Sequence, residues 1–191
     1  MMIMKRIFCL MLVCCLLACT GTGTPQGLQP VTHFKPDQYL GTWYEIARLD
    51  HSFERGLQQV TATYSKREDG GLKVINRGYD PEKQAWKEAE GKAYFVDGPD
   101  TGKLKVSFFG PFYGAYNILV LDHVNYNFSL VAGPNREYLW ILSRTPELSY
   151  PVKAELIARA QHLGFDTSKL IFVEHGAQPG MKLPHQDTMR R

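Results

Sequence analysis

The chain has 191 residues, of which 44% are hydrophobic and 12% aromatic, and it contains 17 Gly and 11 Pro. This length suffices for one domain with a sizeable core, and the composition favours many short strands joined by turns. The formal charge is only +3, and it falls to +1 without the basic N-terminus described next, which excludes nucleic acid as an electrostatic partner.

Residues 1–18 are predicted to be a lipoprotein signal peptide. Lys5 and Arg6 form a positively charged start, and the apolar stretch 7–17 that follows is too short to span a bilayer as a lasting helix. Without these two cations, Lys and Arg number 20 against 19 Asp and Glu.

The sequence Leu-Leu-Ala-Cys at 16–19 resembles the bacterial lipobox, in which a signal peptidase cuts before the Cys and acyl chains are attached to it. Cys19 is therefore the predicted lipidation site, and acyl chains there would anchor the protein stably without a membrane-spanning helix. Thr20, where an Asp would resemble the inner-membrane retention signal, favours the outer membrane. The alternative is an ordinary secretory signal that happens to contain Cys. All four Cys lie at or before residue 19, so the mature domain is predicted to have neither a disulfide nor a nucleophilic thiol.

Residues 19–36 are rich in Gly, Thr, Pro and Gln and are predicted to form a flexible tether. A barrel domain is predicted over 37–176, and a polar tail over 177–191. Within the domain, apolar and polar residues alternate in eight segments separated by turn residues, as expected of β-strands. The predicted strands cover 42–49, 57–67, 72–78, 86–96, 104–108, 116–120, 125–132 and 138–144.

Eight antiparallel strands with short connections suit an all-β, up-and-down barrel, which leaves no free sheet edge. Two packed sheets are the alternative. Ala62, Gly78, Gly91 and Ala93 are small residues on predicted inward faces, and they leave room for one small ligand.

The pattern changes to that of a helix after the eighth strand. Pro151 suits a first helical turn, and Gly164 suits a C-terminal cap. Val152, Leu156, Ala160 and Leu163 form an apolar stripe, so we expect one α-helix packed outside the barrel. A short ninth strand is expected over 170–174.

In this order the chain resembles the lipocalin family, especially the bacterial outer-membrane lipocalins of the Blc type and their animal relative apolipoprotein D. Gly-Thr-Trp-Tyr at 41–44 matches the family's first motif, Asp122 occupies the place of the second, and Arg144 matches the third. Leu121 stands where the family usually has Thr. This departure leaves open whether Phe128 or Ser129 faces inward.

The resemblance implies a barrel closed at one end, the floor, and open at the other, the mouth. It places Gly41, Trp43, Asp122 and Arg144 at the floor, where the guanidinium of Arg144 stacks on Trp43. The alternative role for Arg144 is an anion ligand inside the pocket. The resemblance further implies a fatty acid or lysophospholipid ligand, storage or transport of lipids in the bacterial envelope, a lipid-anchored, periplasm-facing position at the outer membrane, and a homodimer.

The predicted ligand pocket lies toward the mouth, where apolar and aromatic walls suit a lipid-like molecule. For each wall residue, core filling is the alternative. The predicted wall consists of Val60, Ala62, Asn76, Phe108, Tyr116, Ile118, Tyr138 and Trp140. Arg48, Arg55 and Arg77 are candidates for binding a carboxylate or phosphate headgroup, and ordinary solvated side chains otherwise.

The sequence does not predict an enzyme, a cofactor or a metal site. It contains no Gly-x-Ser-x-Gly elbow, no His-Glu-x-x-His motif and no Gly-rich phosphate loop, and its six His are scattered. His51, near the predicted mouth, is the one candidate for lipid-processing chemistry. A structural envelope lipoprotein with a filled barrel is the third hypothesis.

Overall fold

The computed structural model describes residues 21–176. The signal peptide, Cys19 and the 177–191 tail therefore lie outside the described residues. The helices are α1 (Pro36–Tyr39) and α2 (Tyr150–His162), with a 3₁₀ turn at Thr167–Lys169. The strands are β1 (Gly41–Arg48), β2 (Gln58–Lys66), β3 (Leu72–Asp80), β4 (Ala85–Phe95), β5 (Lys103–Phe109), β6 (Phe112–Leu121), β7 (Phe128–Ala132), β8 (Leu139–Ser143) and β9 (Ile171–Phe172).

The predicted eight-stranded antiparallel barrel is confirmed. Each strand from β1 to β8 pairs with its neighbours in sequence, and β1 pairs with both β2 and β8, which closes the sheet. The predicted short ninth strand is present as β9, although it covers fewer residues than the sequence suggested, and it pairs with β1. Closure satisfies the backbone hydrogen bonds of the first and last barrel strands.

Two apolar cores flank the sheet, because successive side chains of a strand point to opposite faces. The inner core contains Trp43, Val74 and Leu104. The outer core lies between the barrel and α2, where Leu156 and Ala160 pack with residues such as Leu139 and Ile141. The predicted position of the helix outside the barrel is thereby confirmed.

The orientation of β7, which the sequence left open, follows from its neighbours. Ser129 is fully buried, and its hydroxyl lies 3.2 Å from that of Tyr39 inside the barrel. Phe128 instead packs against the outer core. A register shift between Ile118 and Val120 of β6 accompanies this pairing.

The structure differs from the predicted tether over residues 21–36. The amide of Val31 donates to the carbonyl of Ile118, and the amide of Phe34 donates to that of Asp100, both at 2.8 Å. Leu28 and Phe34 are buried in the outer and inner cores respectively. These apolar side chains have partners on the barrel, so a composition typical of flexible segments is held in place here.

Candidate ligand-binding site

The floor of the barrel is closed by Trp43 and Arg144, as the resemblance implied. The Arg144 Cζ lies 4.0 Å from the centroid of the Trp43 ring, and the indole Nε1 donates to the Tyr39 carbonyl at 2.9 Å. The guanidinium also donates to the carbonyls of Tyr126, Thr42 and Gln38, at 3.2, 3.0 and 2.7 Å. Arg144 therefore ties together three segments of the floor, using the forked donor geometry that is specific to arginine.

Gly41 and Asp122 support the floor in different ways. Gly41 has a φ of +91°, and a Cβ there would lie 3.4 Å from Arg144 Nη1, so a side chain would be strained beside the guanidinium. The Asp122 carboxylate accepts the amides of Val124, Asn125 and Asn127 at 3.1 to 3.3 Å. It thus shapes the turn that presents the Tyr126 carbonyl to Arg144.

Three tyrosines, Tyr39, Tyr64 and Tyr116, form a layer above the floor, which we call the tyrosine layer. The Tyr116 hydroxyl lies 2.7 Å from that of Tyr39 and 2.8 Å from that of Tyr64. Burial raises the pKa of Tyr39 to about 12 and that of the other two hydroxyls above the usual value. The layer is therefore neutral at physiological pH.

A cavity begins at the tyrosine layer and widens toward the mouth. Its inner part has a volume of about 90 Å³, and its outer part about 670 Å³. The two parts share wall residues, namely Phe53, Glu54, Val60, Asn76, Val106 and Phe108. A cavity of this size contradicts the hypothesis of a filled barrel.

Six of the eight predicted pocket residues line this cavity. They are Val60, Ala62, Asn76, Phe108, Tyr116 and Trp140. Gly91 makes room for one of them, because a Cβ at Gly91 would lie 2.8 Å from the Phe108 ring. Small inward residues thus leave space for large ones on the neighbouring strand.

The other two predicted residues, Ile118 and Tyr138, are not on the cavity wall. Ile118 is fully buried in the inner core, two residues closer to the floor than Tyr116, and so lies beneath the tyrosine layer. Tyr138 precedes β8 and stacks on His51, with ring centroids 4.9 Å apart, beside a separate polar groove. Alternation predicts on which face of a strand a side chain lies, but not how far along the barrel axis it lies.

The sequence analysis missed a buried charged group inside the barrel, formed by Glu45, Arg48 and Glu54. We call it the acidic cluster. Arg48 Nη1 lies 2.6 Å from Glu45 Oε1, and its Nη2 donates to the carbonyls of Glu54 and Leu57 at 3.1 and 3.2 Å. The Glu54 carboxylate accepts the indole N–H of Trp140 at 3.0 Å. Glu45 shares the inward face of β1 with Trp43, so the alternation could have revealed it, whereas Glu54 lies in a loop without a pattern.

In the acidic cluster the Arg48 guanidinium pairs directly with the Glu45 carboxyl and acts on the Glu54 carboxyl only through its charge, so burial shifts the protonation of both acids. Burial, together with repulsion from Glu54, raises the pKa of Glu45 to about 8. Burial also raises the pKa of Glu54, although the Trp140 hydrogen bond opposes this shift. Glu45 and Glu54 together therefore retain a proton near neutral pH, and the acidic cluster, which includes the Arg48 cation, has a net charge close to zero.

The predicted headgroup arginines already have partners. Arg48 points inward to Glu45, and Arg55 pairs with Asp50 at 2.6 Å. Arg77 stacks on Trp86, with its Cζ 4.0 Å from the ring centroid, yet it also lines the outer cavity together with Lys87. Of the three, Arg77 is the one that the structure places at the mouth of the cavity.

His51 is buried among aromatic rings rather than held beside an acid. It stacks on Phe53 and Tyr138, and burial and the Arg48 charge lower its pKa to about 4. Its Nε2 has no hydrogen-bond partner among residues 21–176. The same residues contain no cluster of His, Cys, Asp and Glu able to hold a metal ion.

The mouth carries exposed aromatic residues and a gap in the barrel wall. Phe53, Phe109 and Phe112, the rim phenylalanines, line the outer cavity and are 61%, 81% and 78% exposed. β5 pairs with β4 only from Lys92 to Phe95, so among residues 21–176 the part of β4 nearer the mouth has no strand neighbour on that side. The outer cavity extends to this gap, where Ala89 lies on its wall.

An up-and-down barrel of eight strands with a closed floor, an outer helix and an apolar cavity defines a lipocalin. The lipocalin-like domain model matches residues 34–175, and the chain belongs to this family. It is 57% identical over 164 residues to the outer membrane lipoprotein Blc of Escherichia coli K12, covering 86% of this chain and 90% of that protein. It is 54% identical over 171 residues to the Blc protein of Vibrio cholerae, covering 90% and 99%.

Weaker similarities extend to an animal lipoprotein sequence and to a solved structure of the same fold. Apolipoprotein D of Rattus norvegicus is 36% identical over 124 residues, covering 61% of this chain and 64% of that protein. The crystal structure of insecticyanin from the tobacco hornworm Manduca sexta superposes with a TM-score of 0.65 at 22% identity, over 81% of this chain and 87% of that one. Within residues 21–176, we find no helix long and apolar enough to cross a membrane.

Proposed function

We propose that this lipocalin binds one fatty acid or lysophospholipid, with the acyl chain inside the barrel and the headgroup at the mouth. The observation that supports this proposal is the open cavity of about 670 Å³ above the tyrosine layer. Its walls carry Val60, Val106 and Phe108, which offer an acyl chain an apolar surface out of water.

The charges of the cavity favour this orientation of the ligand. An anionic headgroup near Glu45 and Glu54 would meet two buried acids whose guanidinium partner is already engaged. Arg77 on the outer wall, and Lys87, which also pairs with Asp80 at 2.8 Å, are better placed to meet a carboxylate or phosphate. The tyrosine layer limits how deep the chain can reach.

The acyl chain supplies the binding energy in this proposal. Burial of each methylene contributes about 0.8 kcal/mol before ordering costs, equivalent to about a fourfold gain in affinity. We expect affinity to rise along a series of saturated fatty acids and to level off once the chain reaches the tyrosine layer.

We further infer that the protein is anchored by acyl chains on Cys19 to the bacterial outer membrane, faces the periplasm and stores or transports envelope lipids. The lipobox at 16–19 and the two relatives named outer membrane lipoproteins support this inference. The measurement is mass spectrometry of the N-terminal peptide of the native protein, which should begin at acylated Cys19. An unmodified N-terminal peptide would contradict the anchor.

The binding proposal is tested with delipidated protein lacking residues 1–19, titrated with a fluorescent fatty acid and with a lysophospholipid. We expect saturation near one ligand per barrel. Ala62→Trp should weaken binding at least tenfold, because Ala62 lines the inner cavity. Thr63→Trp is the matched control, since the Thr63 hydroxyl bonds that of Thr42 at an exposed position. Equal binding by both variants, or no saturable binding by the unmodified protein, would refute the proposal.

A further inference from the structure

The N-terminal segment runs along β6 toward the mouth as it approaches the proposed lipid anchor. The Asn117 side chain donates to the Gly23 carbonyl at 3.1 Å and accepts the Thr24 hydroxyl at 2.9 Å. The amide of Ala115 donates to the Gly21 carbonyl at 2.6 Å. Since β6 begins at the mouth and ends at the floor, the chain rises from Thr24 to Gly21.

Chain length then limits where the anchor can be. Cys19 precedes Gly21 by two residues, which span at most about 7 Å. Ala115 is three residues from Phe112 at the mouth, about 10 Å at ~3.3 Å per residue, and six residues from the floor end of β6, about 20 Å. Cys19 is therefore within about 17 Å of the mouth end of β6 whichever way residues 19–21 run, and closer to the mouth than Ala115 when they keep the direction of residues 21–24.

The same end of the barrel presents the rim phenylalanines. Phe109 and Phe112 face each other across the β5–β6 hairpin, and Phe53 borders the same opening. Aromatic rings exposed on a loop tip are suited to the interfacial region of a bilayer. Arg77 and Lys87 on the wall of this opening are balanced in part by Glu88 and by Asp80, which pairs with Lys87 at 2.8 Å, so the aromatic rings rather than the net charge favour contact with lipid.

We propose that the mouth docks on the lipid surface that holds the anchor, with the rim phenylalanines at the level of the headgroups. In this arrangement the cavity and the gap between β4 and β5 open onto the bilayer, and a lipid enters without crossing bulk water. The proposal depends on the proposed acylation of Cys19, but it does not depend on which lipid is bound.

The test uses the full, lipidated protein in vesicles of phosphatidylethanolamine and phosphatidylglycerol. Phe109→Cys and Phe112→Cys are labelled with an environment-sensitive fluorophore, and Val124→Cys is the matched control. Val124 is 81% exposed, as Phe109 is, but it lies in the turn at the floor. The predicted mature chain has no other free thiol, so each label is unique.

We expect the labels at 109 and 112 to brighten several-fold on vesicles and to be quenched by lipids carrying a spin label high on the acyl chain, while the label at 124 stays unchanged. Equal responses at the mouth and the floor, or a response at 124 alone, would overturn the proposal. So would brightening at 109 that needs no vesicles and grows with protein concentration, because a second copy of the chain would then cover the mouth.

Two separate measurements distinguish this proposal from the ones on which it builds. Mass spectrometry of the same lipidated sample reports whether Cys19 is acylated, and the solution titration reports whether the barrel binds an acyl chain. If both succeed while the labels at the mouth remain in water, the docking proposal alone has failed.

Discussion

Replacing Arg144 with lysine separates closure of the floor from ligand binding. Lysine keeps the positive charge but replaces three separate donor nitrogens by one, which cannot reproduce the bonds of the planar fork to all three carbonyls. Hydrogen bonds to charged groups contribute about 1.5–3 kcal/mol each, and water reaches the outer two carbonyls, which reduces the loss. We expect Arg144→Lys to lower the free energy of unfolding by about 2 kcal/mol, a fall in Tm of about 4–8 °C for a chain of this size.

The assay is urea unfolding followed by circular dichroism, with fatty acid binding measured on the same samples. Arg159→Lys is the matched control, because Arg159 is exposed on α2 and should change stability by less than about 0.5 kcal/mol. Affinity should stay within twofold in both variants, since Arg144 does not line the cavity. A tenfold loss of affinity at unchanged stability would refute this reasoning and favour the alternative role of Arg144 as an anion ligand.

Three further predictions concern the acidic cluster, the wall and the N-terminal segment. The folded pKa of Glu45 is raised to about 8, so its stabilising contribution is complete below pH 4.5 and is lost as pH rises through 8. The lowered pKa of His51 has the opposite effect on stability, but only below pH 6.5. Urea unfolding should therefore show the free energy of unfolding falling by about 1–2 kcal/mol between pH 6.5 and 8, and Glu45→Gln should remove this fall. An equal fall in both proteins would contradict the prediction. Gly91→Ala should cost about 1–3 kcal/mol, because its Cβ would lie 2.8 Å from the Ser107 carbonyl, whereas Gly114→Ala, with open space around it, should cost less than half as much. Asn117→Ala should increase amide hydrogen exchange over residues 21–31, because it removes the bonds to Gly23 and Thr24, and unchanged exchange would show that other contacts hold the segment.

The parts of the fold that the sequence predicted well are those that depend on alternation. Trp43 and Arg144 are 101 residues apart. Trp43 lies on the inward face of β1 and Arg144 directly follows β8, and the two side chains are in contact as expected. Six wall residues were found in the same way. Alternation does not fix height, because strands in a barrel are tilted and β6 contains a register shift. For this reason Ile118 was predicted to be on the pocket wall, whereas it lies beneath the tyrosine layer.

The remaining features depend on long-range contacts that no local pattern encodes. Glu54 lies in a loop, and it enters the barrel because Trp140 and Arg48 bind its side chain and its carbonyl. The 21–36 segment has the composition of a tether, but Leu28 and Phe34 find apolar partners on the barrel. Because this segment is bound along β6, it fixes the direction in which the chain leads to the proposed anchor.

The most direct test of acyl binding inside the barrel uses fatty acids brominated at successive positions along the chain. Bromine quenches tryptophan only at close range, and Trp140 lines the inner cavity while Trp43 lies in the core of the floor. We expect quenching to peak for bromine at one depth along the chain and to fall sharply in Trp140→Phe, which keeps Trp43 and Trp86. Quenching that is independent of bromine position, or unchanged in Trp140→Phe, would show that the chain binds elsewhere.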